Sequence, residues 1–403
     1  MHHVIIGNGI AGVQAAEAIR SVDVRSELTM VAAETFPPYS RPMISLLLEG
    51  VITPDRLPIR SEEAFDRKGI RILKARRVES LDSNTRRLHL DDGTHLSFDR
   101  LLLATGASPR SIRAEGKHLK NIFFMRTVGD VLGMTEALAT CKHALVLGGG
   151  LVGFKASYGL LKRGIPVTML ISSGYPLAMQ IDAVAGNIVR ETLIRHGLTV
   201  ETGVDVSAFE GNGVVRRAIL NDGRGVDCDL VIIGKGVRPE TGFLKGSGIA
   251  IDLGIPVDHH LQTNLPGVFA AGDVAQTHDL VRNRQWINAI WPEAAAQGWI
   301  AGLNMAGRSV SYPGSLGRNV IRMFDLDIMT AGIVRPEDSP DAQVIEVLDE
   351  RTPIYRKFVL KDERLIGFTM INRIEQGGRL VSLIRRGLPL DREEKLLLIK
   401  SDE

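Results

Sequence analysis

Three glycines in Gly7-Asn8-Gly9-Ile10-Ala11-Gly12 have the spacing of a turn that receives a diphosphate. In that spacing Gly7 makes the tight turn, Gly9 lets a pyrophosphate approach the backbone, and Gly12 lets a helix pack closely on its strand. An anion ahead of the following helix meets free N–H groups and the positive end of the helix dipole. Glu34 then stands where a carboxylate can accept hydrogen bonds from a ribose diol. The glycine spacing returns in Gly148-Gly149-Gly150-Leu151-Val152-Gly153. Two such turns imply two nucleotide sites, and nucleotides that meet end to end suggest electron transfer between a flavin and a nicotinamide. Asp273 follows an apolar run and Gly272, which makes it either a ligand-facing carboxylate or an exposed turn aspartate. Lys155, two residues after Gly153, is either a solvated helix lysine or a cation offered to a cofactor.

Holding these residues in place takes strands and helices. The pattern predicts a strand over 4–6, a helix to about residue 21 and a strand over 28–32. It predicts the same order again at 144–147, to about 163, and at 166–171. Three more apolar runs end in glycine turns: 100–103 into Ala104-Thr105-Gly106, 230–233 into Gly234-Lys235-Gly236, and 268–271 into Gly272-Asp273. Continuous apolar strands belong to parallel sheets covered on both faces, and ligands sit beyond their carboxyl ends. An α/β fold follows. Trp291 and Pro292 precede a helical run over 293–305, and the N–H groups behind Pro292 point at whatever lies ahead of that helix.

The 403 residues suggest two or three domains. Apolar residues at 44% and charged residues at 24% describe a globular chain and exclude a disordered one. A net charge of +2 lacks the basic field that nucleic-acid binding draws on, so no nucleic-acid partner is expected. Cys141 and Cys228 are too few and too far apart in sequence for a disulfide framework or a four-ligand zinc site, and no metal is expected. They suit a reducing cytoplasm. No leader is expected ahead of the first strand. The longest charge-free stretch, 164–181, carries two prolines and reads as a strand plus a loop, so no membrane helix is expected.

Together, the first glycine turn, Ala104-Thr105-Gly106, the second turn, Gly234-Lys235-Gly236-Val237-Arg238-Pro239 and Ala270-Ala271-Gly272-Asp273 resemble the two-dinucleotide-domain flavoprotein oxidoreductases. Pro38-Tyr39-Ser40-Arg41-Pro42-Met43-Ile44-Ser45 and the tail from Tyr355 to Arg385 are similar to the NADH:rubredoxin, ferredoxin and nitrite reductase branch. The resemblance covers essentially the whole chain. It implies two Rossmann-like domains: a discontinuous FAD domain at 1–110 and 242–312, and an NAD(P)-type domain inserted at 111–241. A small α+β C-terminal domain would follow at 313–403, with 313–315 a linker on composition.

The same resemblance places Glu34 on the adenosine ribose, Arg41 and Pro42 on the central part of FAD, and Val78 at the adenine edge. Ala104, Thr105 and Gly106 fall on the pyrophosphate side, Gly236 and Gly272 in cofactor turns, and Asp273 on ribityl hydroxyls. Trp291 is either an aromatic wall near the pyrimidine end of the flavin, where the N–H groups after Pro292 would stabilise negative charge, or a plain core residue. Relatives usually carry a lysine after the serine matching Ser45 and a glutamate two residues after the glycine matching Gly153; here these are Leu46 and Lys155. The carboxylate expected after the second unit's strand is replaced by Ile171, Ser172 and Ser173, so neither NAD nor NADP preference can be read. No cysteine lies within 36–50, which disfavours disulfide chemistry at the flavin.

The resemblance implies an FAD-dependent enzyme passing electrons between a pyridine nucleotide and a one-electron carrier, a ferredoxin or rubredoxin. Two alternatives stay open: a flavoprotein with a decayed nicotinamide site that exchanges electrons only with protein partners, and a non-catalytic flavin-holding subunit. Arg373, Arg379, Arg385 and Arg386 against one acid, Glu375, form either a docking patch for an acidic carrier or a solvated face.

Overall fold

The computed structural model describes residues 1–339, 341–349 and 352–399. Residues 340, 350, 351 and 400–403 of the expected C-terminal domain lie outside the described residues. The helices in chain order are α1 (Ile10–Val22), α2 (Ile44–Glu49), α3 (Glu62–Arg67), α4 (Val128–Leu138), α5 (Leu151–Lys162), α6 (Ala183–Arg195), α7 (Trp291–Met305), α8 (Gly377–Arg386) and α9 (Arg392–Ile399). The chain divides into two compact units, one of Met1–Met43, Pro54–Ser108 and Val237–Gly317, the other of Ile44–Thr53, Pro109–Gly236 and Arg318–Glu403.

Five parallel strands carry the first unit, in the order Val268–Ala270, Arg100–Leu103, His2–Ile6, Glu27–Val31, Arg71–Leu73. Val4, Ile5, Met30, Leu101 and Leu102 are sealed from solvent, as strands covered on both faces require. Strand order reverses at His2–Ile6, the place where open α/β sheets leave a crevice beyond the strand ends. The helix α7 lies on α1 with almost no side chain between them: a Cβ at Gly298 would stand 2.1 Å from the Ala11 carbonyl oxygen, and one at Gly302 2.4 Å from that of Ala15. The same unit holds a separate antiparallel sheet of Val78–Asp82, Arg87–Leu90 and His95–Ser97.

The second unit repeats the plan, with parallel strands in the order Thr199–Thr202, Val167–Ile171, Ala144–Leu147, Leu230–Ile233, Ile122–Phe123. It has its own antiparallel excursion, Val206–Glu210, Arg217–Leu220 and Gly225–Asp227. A third sheet, all antiparallel, follows the order Arg318–Met323, Leu326–Gly332, Arg364–Ile371, Ile354–Lys361, Gln343–Asp349 and packs with α8. Residues 44–53, read from sequence as part of the first nucleotide domain, pack in this unit. There α2 meets α5 at Gly159, where a Cβ would stand 3.3 Å from the Glu49 nitrogen, and Arg163 Nε donates to the Leu48 carbonyl at 2.6 Å.

Two details differ from the sequence reading. The helix read as 293–305 starts at Trp291, since the fixed φ of Pro292 fits a first helical turn. The segment 313–315, read as a linker, is tied down in the first unit: the Ser315 N–H donates to the His278 carbonyl at 2.8 Å, and the Leu280 N–H to the Ser315 carbonyl at 3.0 Å. Composition carries no trace of those bonds.

Candidate functional site

In the first unit, strand, turn and helix interlock through backbone alone. Gly7 has φ +110°, and a Cβ there would stand 2.2 Å from the Ala104 oxygen; a Cβ at Gly12 would stand 2.0 Å from the Gly7 oxygen. Gly9 is different. It is the N-cap of α1, with extended backbone and no side-chain cap bond, and a Cβ there would meet no protein atom within 4 Å. Protein packing does not require this glycine, whereas an anion approaching the uncapped N–H groups of Ile10, Ala11 and their neighbours would.

Around this turn stand the expected cofactor residues. Tyr39 Oη donates to Glu34 Oε2 at 2.8 Å, Arg41 Nη2 donates to Glu34 Oε1, and Arg41 Nη1 donates to Tyr39 Oη at 3.0 Å. Burial works against the charge of Arg41, but Tyr39, Glu34 and Asp273 outweigh it and hold the guanidinium above its ordinary range. Asp273, distant in sequence from Glu34 and Arg41, therefore shares their electrostatic neighbourhood. Pro42 follows in the short turn Arg41–Met43, and Val78, 6% exposed, opens its strand. Thr105 Oγ1 donates to the Glu240 carbonyl at 2.8 Å, and Gly106 has φ +69°.

Gly272, with φ +82°, donates its N–H to Gln297 Oε1 at 2.8 Å, which fixes the turn that presents Asp273. Tyr312 Oη donates to the buried Glu293 on the same helix at 2.5 Å. Trp291 opens α7 half-buried. Tyr39 and Gln297 are the residues that sequence reasoning missed. Tyr39 lay inside a quoted motif without a role, and nothing local marks Gln297.

The second unit has the same interlock. Gly148 has φ +100°, and a Cβ there would stand 2.6 Å from the Gly234 oxygen; a Cβ at Gly153 would stand 1.9 Å from the Gly148 oxygen. Gly150 caps α5, and the nearest protein atom to a Cβ there is 3.9 Å away. Gly236 has φ +83°. At the position expected to carry a ribose-binding acid, Ile171 is 2% exposed and covers Gly149, where a Cβ would stand 2.8 Å from Ile171 Cδ1. Ser173 Oγ donates to the Tyr175 carbonyl at 3.0 Å.

Lys155 is half-buried on α5, and burial alone lowers its pKa. Among the described residues it has no ion-pair partner. Leu46 lies on α2, half-buried. Burial pushes Cys141 up to about 11 and Cys228 up to about 12, which keeps both as neutral thiols and poor nucleophiles. No group of three or more His, Cys, Asp or Glu that could hold a metal occurs among the described residues, and no described helix is long and apolar enough to cross a membrane.

Residues 1–298 match the model of the pyridine nucleotide-disulphide oxidoreductase family, and residues 318–388 that of the rubredoxin NAD+ reductase C-terminal domain. The chain is 30% identical to the NADH-dependent phenylglyoxylate dehydrogenase subunit epsilon of Aromatoleum evansii, over 95% of this chain and 91% of that protein. It is 27% identical to the nitrite reductase [NAD(P)H] of Bacillus subtilis (strain 168) over 98% of this chain, and spans about half (49%) of that longer protein. Among solved structures, the covalent putidaredoxin reductase–putidaredoxin complex matches with a TM-score of 0.90 at 25% identity, over 98% of this chain and 95% of that one.

Proposed function

The chain belongs to the pyridine nucleotide-disulphide oxidoreductase family and carries a rubredoxin NAD+ reductase C-terminal domain; from that premise we propose an FAD-dependent oxidoreductase that passes electrons between NAD(P)H and a one-electron protein carrier such as a ferredoxin or rubredoxin. The observation that carries the reading is the repeated glycine interlock, each copy ending in an N-cap glycine whose Cβ side the protein leaves open. Two nucleotide-binding turns in one chain suit a flavin and a pyridine nucleotide. A flavin held by these residues would supply the exchange between two-electron and one-electron chemistry.

The residues of this chain bind and tune. Glu34, held by Tyr39 and Arg41, would accept hydrogen bonds from the adenosine ribose, and Asp273, on the turn braced by Gln297, from ribityl hydroxyls. Arg41 and Pro42, Val78, Ala104 to Gly106 and Trp291 would complete the FAD site. Gly148, Gly150, Gly153 and Gly236 would hold the pyridine nucleotide. Lys155 would offer its ammonium in place of the cation absent at Leu46. The proposed division is an FAD domain of 1–110 and 242–312, a pyridine-nucleotide domain of 111–241 and a C-terminal domain from 313. Two free, buried thiols suit the reducing cytoplasm.

Ile171 and Lys155 favour one competing reading, in which the flavin exchanges electrons only with protein partners. Anaerobic addition of NADH and, separately, NADPH to the FAD-loaded protein separates the two. Rapid loss of the oxidised-flavin colour with either nucleotide supports the proposed enzyme, and no loss with both supports the competing one.

A further inference from the structure

A loop of this chain runs over the second glycine turn and is anchored at its far end to the C-terminal sheet. Residues 172–182 leave the strand Val167–Ile171 and lead into α6. Halfway along, the Leu177 N–H donates to the Gly149 carbonyl at 2.7 Å. A peptide unit is planar and trans, so its C=O and N–H point opposite ways. The bond that fixes the Gly149 carbonyl therefore also sets the direction of the Gly150 N–H, at the head of α5.

The loop is held in a conformation it would not adopt alone. Leu177, fully buried, has φ +56°, a left-handed backbone that costs a side-chain-bearing residue free energy and persists only where the surroundings enforce it. Its carbonyl accepts from the Gln180 and Ile181 N–H groups at 2.7 and 3.0 Å. The ring of Tyr175 lies on Gly186 of α6, where a Cβ would stand 2.2 Å from Tyr175 Cδ2.

Asp182 closes the loop and divides its carboxylate between two tasks. Oδ1 accepts the Ala185 N–H at 3.0 Å and caps α6. Oδ2 accepts Tyr355 Oη at 3.0 Å and pairs with Lys357 Nζ at 3.2 Å. Both partners come from the strand Ile354–Lys361 of the C-terminal sheet. Lys357 is 5% exposed and also pairs at 3.2 Å with Glu346, directly opposite on the neighbouring strand. Burial opposes its charge, and the two carboxylates more than compensate.

We propose that Lys357 and Tyr355 are positioning residues for the pyridine-nucleotide site, acting through Asp182 and the loop 172–182 on the turn Gly148–Gly150. The inference rests on the reading of that turn as the pyridine-nucleotide site. With Ile171 at the position of the expected ribose-binding acid, nucleotide affinity leans on the backbone of this turn, and the C-terminal sheet sets that backbone.

The test uses the full-length, FAD-loaded protein in anaerobic rapid mixing, with NADH and NADPH each varied to saturation. The dissociation constant and the limiting rate of flavin reduction are read separately. Asp182→Ser keeps an acceptor for the α6 cap and removes the tie to the sheet; Lys357→Met and Tyr355→Phe remove the tie from the other side. For Asp182→Ser and Lys357→Met the dissociation constant is expected to rise about tenfold, inside the range usual for coupling between distinct sites. The limiting rate and bound FAD should stay at wild-type levels, and Lys357→Arg should restore affinity. If Lys357→Met does not fold, Asp182→Ser and Tyr355→Phe carry the same comparison. Wild-type affinity in the folded variants, or a fall confined to the limiting rate, overturns the inference alone. A wild-type protein reduced by neither nucleotide overturns the reading of the site, and the inference with it.

Discussion

Arg41 faces Glu34 and the phenol of Tyr39, its near neighbours in sequence, and the distant Asp273, so three groups share one half-buried cation. Replacing Glu34 by alanine removes the carboxylate proposed for the ribose and leaves Arg41 with fewer acceptors. The expected loss in FAD affinity is about 1–3 kcal/mol, the usual penalty for a charged hydrogen bond. Titration of flavin-stripped protein with FAD measures it, and wild-type affinity in Glu34→Ala would remove Glu34 from the site. Lys155 supports a second expectation. On the proposal that its ammonium is offered to the flavin, it would favour the anionic reduced form, so Lys155→Met should lower the midpoint potential by about 30 mV, equivalent to ~1.4 kcal/mol for a two-electron couple. Burial lowers the Lys155 pKa from 10.5, so its charge is lost at a lower pH than that of a free lysine. The difference between wild type and variant should therefore shrink as pH rises, and at a lower pH than a free lysine would set. Equal potentials across the pH range would mean that Lys155 places no charge at the flavin. Glu34 and Asp273 were picked out as candidates because each follows an apolar strand at a fixed offset. Tyr39 and Gln297 were not, because a side chain's hydrogen-bond partner across a fold leaves no local pattern.

At the scale of elements, contact between α1 and α7 decides how firmly the first site is held. The two glycines of α7 lie against the Ala11 and Ala15 carbonyls, and Gln297, just ahead of the first, braces Gly272. A methyl at Gly298 would force the helices apart, so Gly298→Ala should destabilise the protein by about 1–3 kcal/mol through overpacking. It should also loosen FAD. Chemical denaturation and FAD titration check the two effects, and a neutral change in both would mean the helices can separate without cost. The strands bearing the glycine turns were legible as continuous apolar runs, which few other elements produce. The antiparallel excursions Val78–Ser97 and Val206–Asp227 were not picked out, since their leading strands are short and broken by a register shift, which spoils an alternating pattern, and they gain their identity only by pairing. Pro313-Gly314-Ser315 had a linker's composition, yet Ser315 is fully buried and hydrogen-bonded.

For the whole molecule, a net charge of +2 gives no broad field, so any steering of a carrier has to come from a local cluster. Arg373, Arg379, Arg385 and Arg386 are exposed on and beside α8, and Arg386 already pairs with Glu394 at 2.6 Å. Arg385→Glu with Arg386→Glu should slow encounter with a small acidic carrier by about tenfold at low ionic strength, a gap that narrows as salt screens it. Unchanged rates at low salt would exclude this face from docking. The order of motifs along the chain made the overall plan legible, whereas the grouping of residues 44–53 with the second unit depends on the α2–α5 contact and was not. The proposed enzyme converts two-electron into one-electron transfer between NAD(P)H and a carrier protein. Anaerobic turnover with a catalytic amount of FAD-loaded protein, a pyridine nucleotide and ferredoxin or rubredoxin tests it most directly. The expected result is two carriers reduced per nucleotide oxidised, with none reduced when the protein is stripped of flavin. Nucleotide oxidised without carrier reduction, or neither reaction despite bound FAD, would contradict it.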